Sequence, residues 1–137
     1  MNLEINNKTK QRINNKILQR ATDVFSNKFK TKQKEVSLAL VGEKKIKDLN
    51  KQYRQIDKVT DILSFADGEN NFLGELIICP QKIKRQAKER QTSFQSELVF
   101  IFIHGLLHLV GYNDHNNRGH EKMMKIGKQL TTIILKK

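Results

Sequence analysis

A chain of 137 residues suffices for one domain with a single sizeable core and is short for two. Its longest uninterrupted apolar run, Leu98 to Ile103, is six residues, which excludes a membrane-spanning helix. Twenty-six Lys and Arg against fourteen Asp and Glu give a formal net charge of +12, which favours polyanionic partners, nucleic acid before anionic membrane.

The lysines are spread along the chain, so the charge alone does not locate a binding surface. The single cysteine, Cys79, has no internal partner for a disulfide, which fits a reducing compartment. The opening MNLEINNKTKQR has no apolar core of a signal peptide. The expected location is cytoplasmic.

In chain order, Asn2 to Asn6 alternates as a short strand. Ile13, Ile17, Leu18, Ala21, Val24 and Phe25 recur at helical spacing, which predicts a helix over Thr9 to Phe29 with Thr9 as N-cap. Val36, Leu38 and Leu40 alternate as a strand ending near Gly42, and Ile46, Leu49, Asn50 and Tyr53 predict a second helix. Asp61 to Phe65 and Leu73 to Cys79 read as two strands joined by the turn ADGENN. Ile83 and Ala87 lie on a charged helix after Pro80. Ser93 caps a helix running to about Val110, apolar on nearly every side, as a covered central helix would be. A final amphipathic helix starts near Gly119 and carries Met123, Ile126 and Leu130. The order βαβαββααα implies an α+β single domain over residues 1–137, with a small mixed sheet of about four strands and helices packed on it.

Three of the four histidines fall in IHGLLHLVGYNDH, Ile103 to His115, and the fourth is His120. His104 and His108 are four residues apart and share a helix face. Gly111 suits a left-handed helix exit, after which the chain can return His115 to the same point. Two helical imidazoles and one from the following turn make a three-nitrogen site with a position open to solvent, the pattern of catalytic zinc. A lone histidine on an apolar helix reads as an ordinary core residue; two at this spacing, with a third nearby, read as metal ligands. His120, among NNRGHEK, reads as surface. Where HExxH peptidases place a glutamate general base, this chain has Gly105, which disfavours peptidase chemistry. That glycine serves either close helix packing or room for a bulky substrate.

HGLLHLVGYNDH resembles the HGxLHLxGYDH signature of the YbeY family, bacterial rRNA-maturation factors regarded as metal-dependent endoribonucleases. LNKQYRQIDKVTDILSF, Leu49 to Phe65, is similar to that family's LNxxYRxxDKPTDVLSF, and LGELIICP, Leu73 to Pro80, to its LGDIxI strand. Val59 and Ala66 stand where prolines are usual, and Glu75 replaces an aspartate. Asn113 lengthens the interval between the second and third histidines from the family's six positions to seven. Strict counting from His108 therefore reaches Asp114, whose carboxylate also binds zinc. His115 is the expected third ligand, because a turn absorbs an extra residue, and Asp114 is its alternative.

The resemblance implies a zinc-dependent, single-strand-specific endoribonuclease in rRNA maturation, at the 16S 3′ end, and in ribosome quality control. One Zn2+ would be held by His104, His108 and His115. Arg54 matches the family's arginine, and its planar fork can hold two phosphate oxygens; with His104 it forms the expected catalytic pair. The competing reading of Arg54 is an ion pair with Asp57 or Asp61. Tyr53, Tyr112 and Phe72 are the available stacking platforms. Expected partners are single-stranded RNA, rRNA and the small ribosomal subunit, with neither DNA nor membrane. The rival functions are a non-catalytic zinc-containing RNA-binding assembly factor, with His120 closing the site, and a metallohydrolase of another ester or amide.

Overall fold

The computed structural model describes residues 1–136. The elements run β1 (Asn2–Asn7), α1 (Asn15–Phe29), β2 (Glu35–Leu40), α2 (Glu43–Arg54), β3 (Ile62–Ala66), β4 (Phe72–Ile78), α3 (Pro80–Glu89), α4 (Phe94–Leu109) and α5 (Asn117–Leu135). The sheet order is β1-β2-β4-β3, parallel except for the β3/β4 pair. Parallel neighbours require a crossover, supplied by α1 between β1 and β2. β3 and β4 join through the short ADGENN turn and pair antiparallel. This is the α+β arrangement that the element order implies.

Strand side chains alternate between faces, and the sheet sorts two cores accordingly. Val36, Leu38, Leu40, Leu76 and Ile78 join the main core under α1, α3, α4 and α5. Leu63, Ile77 and Cys79 face the other way and meet Val41 and Ile46. Among the described residues no helix is long and apolar enough to cross a membrane.

Two helix starts differ from the sequence expectation. α1 begins at Asn15, because Asn14 caps it by accepting from the Ile17 N–H. Thr9 is instead captured in a turn, where both its N–H and its hydroxyl donate to Asn7 Oδ1. A side chain that satisfies the backbone locally competes with helix, and here it wins. α5 begins at Asn117 rather than near Gly119, capped by Asn116 through the Gly119 N–H at 2.8 Å.

α4 is the central element. Ser93 caps it by accepting from the Ser96 N–H, and Leu98, Val99, Phe102, Ile103, Leu106 and Leu107 are all buried. The helix packs on β3 and β4 and against α1, α3 and α5. Its glycine serves the packing. A Cβ at Gly105 would lie 2.5 Å from Ile62 Cδ1 and 2.9 Å from Leu76 Cδ2, so the backbone sits directly on the sheet. Gly105→Val is expected to destabilise the protein by about 1–3 kcal/mol through overpacking, read as a lower urea midpoint. An unchanged midpoint would mean that α4 is not seated on β3 and β4 as described.

Candidate metal centre

The packing that buries α4 leaves one face free, and that face carries His104 and His108, each partly exposed. Their Nε2 atoms lie 3.2 Å apart. His108 Nδ1 is 3.1 Å from the Tyr112 carbonyl oxygen. A carbonyl oxygen only accepts, so Nδ1 carries the proton and the neutral ring keeps its Nε2 lone pair for a ligand. Gly111, at φ 105°, makes the sharp helix exit that places this carbonyl and the following turn.

That turn supplies the third donor. Ligand atoms of His104, His108 and Asp114 all lie within 4.8 Å of one another, and Asp114 Oδ2 is 3.8 Å from His104 Nε2. Two nitrogens at about 2.0–2.1 Å from one tetrahedral zinc are about 3.4 Å apart. The imidazole pair therefore matches zinc's demands, and a short closure of the carboxylate completes two nitrogens and one oxygen. His115, the expected third ligand, lines the same cavity but lies outside this group. In the turn lengthened by Asn113, that residue's Oδ1 accepts from the His115 N–H at 3.3 Å, and Asp114 is the residue that faces His104.

The centre opens into a cavity of about 1250 Å³. Arg54, the last residue of α2, lines it and makes no ion pair with Asp57, Asp61 or any other carboxylate of the described residues. His120, read from sequence as surface, also lines it from the first turn of α5. Tyr53 is 55% exposed and packs edge-on against Phe65, as Tyr112 does against Phe29, and neither is among the cavity's lining residues. Sequence reasoning missed Arg90, Glu97 and Lys128, which line the far end of the same cavity. For Glu97 a signal existed: it stands seven residues before His104, two turns back on the same helix face.

Burial pushes the His104 imidazole below its ordinary pKa of 6.5, and His108 adds to this, while Asp114 and Asp61 oppose it. Neutral imidazole is the ligating form. In the metal-free protein this linkage has a definite sign. The stability is fully present above about 6.5 and is lost as pH falls, because the unfolded chain takes up a proton there that folded His104 resists. The thermal midpoint of metal-free protein is expected to drop between about pH 7 and about pH 5, and to drop less in His104→Gln. Identical pH profiles for the two proteins would contradict this burial.

A cation site with two imidazoles, one carboxylate and a face open to a large cavity is the layout of metal-dependent hydrolases, not of closed structural zinc sites. The profile of the family described as endoribonuclease YbeY matches residues 2–134. The endoribonuclease YbeY of Ureaplasma parvum serovar 3 is 42% identical over 133 residues, covering 90% of this chain and 85% of the relative. That of Thermodesulfovibrio yellowstonii is 38% identical over 151 aligned positions, covering 95% and 94%. A solution structure of a Thermotoga maritima protein superposes with a TM-score of 0.70 at 30% identity, covering 96% of this chain and 88% of that one. The chain belongs to the YbeY family of endoribonucleases.

Proposed function

We propose that this protein is a zinc-dependent, single-strand-specific endoribonuclease that acts in the cytoplasm on rRNA of the small ribosomal subunit. Its roles would be 16S 3′-end maturation and ribosome quality control. The observation that carries this reading is the convergence of His104, His108 and Asp114 beside an unpaired arginine in one cavity. His104 and His108 hold the ion through Nε2, and the third ligand is Asp114, with His115 adjacent in the exit turn. When bound, such an ion supplies charge stabilisation at a phosphoryl oxygen and a lowered pKa for water.

The chain's own residues do the rest. The Tyr112 carbonyl holds His108 in its ligating tautomer. Arg54 has no carboxylate partner among the described residues to release before it can engage substrate, so its guanidinium is available to grip two oxygens of the scissile phosphate. There it balances the negative charge on the non-bridging oxygens of the transition state. The Tyr53 ring, 55% exposed and packed edge-on with Phe65, offers a base a stacking surface without sequence preference.

The test measures bound zinc and cleavage of single-stranded rRNA fragments in point variants. His104→Ala, His108→Ala and Asp114→Ala are expected to lose both metal and cleavage. His115→Ala is expected to keep the metal. Arg54→Ala is expected to keep the metal and lose cleavage about 100-fold or more. Cleavage that survives in His104→Ala and His108→Ala would overturn the reading. Metal retained by every protein with no cleavage by any would favour the non-catalytic assembly factor. Loss of metal in His115→Ala but not in Asp114→Ala would move the third ligand to the imidazole.

A further inference from the structure

The cavity continues beyond the imidazoles. Glu97, Ile101, His104 and His108 follow one another along one face of α4, and Glu97 lies seven residues, about 10 Å of helix, from His104. α5 packs alongside and lines the same cavity with His120, Met124, Lys128 and Thr131. Arg90, the C-cap of α3, closes the far end.

The chemistry at that end is unbalanced. Glu97 is a carboxylate only 5% exposed, and it accepts from Arg90 Nη1 at 2.8 Å. A sealed carboxylate is costly unless a cation is held against it. The contact uses one of the five guanidinium N–H donors, and the Arg90 side chain stays 55% exposed with no other acceptor among the described residues. Lys128 is exposed and has no carboxylate within ion-pair distance there. Thr131, 8% exposed, adds an enclosed hydroxyl with no hydrogen-bond partner among the described residues. The arm thus presents donors and positive charge, with its one carboxylate already engaged. A ligand made of anionic acceptor oxygens fits that imbalance.

We propose that this arm is a second phosphate subsite, taking a backbone phosphate of the same single-stranded RNA away from the scissile one, with Arg90 as its clamp. Glu97 holds the guanidinium in the cavity wall, and Lys128 supplies the uncompensated charge. The subsite rests on the RNA reading given above. Its consequence is length dependence: a strand long enough to reach both the imidazoles and Arg90 binds through two anchored phosphates.

Fluorescence anisotropy on the zinc-loaded protein, with a single-stranded RNA oligonucleotide over a salt series, tests this. Arg90→Ala is expected to keep its zinc and bind about tenfold more weakly. The slope of log affinity against log salt should shrink by about 0.7, the value for one single-strand phosphate contact. Lys128→Ala, at an exposed position where folding is not at stake, is expected to move affinity and slope the same way. Lys16→Ala, which removes the same charge from α1 outside the cavity, is the control and should stay close to the unmodified protein. Wild-type behaviour in both Arg90→Ala and Lys128→Ala would overturn the subsite, as would an equal loss in Lys16→Ala. Failure of the unmodified protein to bind RNA at all would instead overturn the functional reading, and the subsite with it.

Discussion

Two imidazole nitrogens stand 3.2 Å apart on the one open face of α4, a helix otherwise buried in the core. Its other sides are packed on β3 and β4 and against α1, α3 and α5, and Gly105 lets its backbone touch the sheet. A cation site needs donors held before the ion arrives, since ordering them afterwards costs rotamer entropy. Burial of the helix supplies that order, and the Tyr112 carbonyl fixes the tautomer of one ring. The same burial pushes the His104 imidazole below its ordinary pKa.

Charge acts at two ranges in this molecule. The excess of +12 is spread over the surface and draws a polyanion without orienting it. Two arginines, Arg54 and Arg90, line the cavity that also holds His104 and His108. Among the described residues Arg54 has no carboxylate partner, and Arg90 is tethered to the buried carboxylate of Glu97. That difference suits different tasks. An untethered guanidinium can follow a phosphate whose charge changes during reaction, and a tethered one can hold a phosphate that does not react.

Much of this was legible in the residues. The element order followed from period-two and helical spacing, and all strands and helices appear in the expected sequence. His104 and His108 were legible as a pair because helix geometry converts a spacing of four into a shared face. The helix start at Thr9 was not, since Thr9 can cap a helix or close an Asn7 turn, and the choice depends on Asn14 being available downstream. His115 shows a similar limit. A turn carrying one extra residue has several backbone solutions, and in this one Asp114 Oδ2 lies 3.8 Å from His104 Nε2. Arg90 and Lys128 were invisible because their relation to the site is made by the packing of α3 and α5 against α4, which no local pattern encodes.

The ligand set itself is open to direct observation by X-ray absorption at the zinc edge of the reconstituted protein. The expected spectrum shows two imidazoles together with oxygen donors, all about 2.0–2.2 Å from one zinc per chain. A spectrum with no imidazole back-scattering, or with the metal surrounded by water oxygens alone, would contradict the convergence on which the chemistry depends.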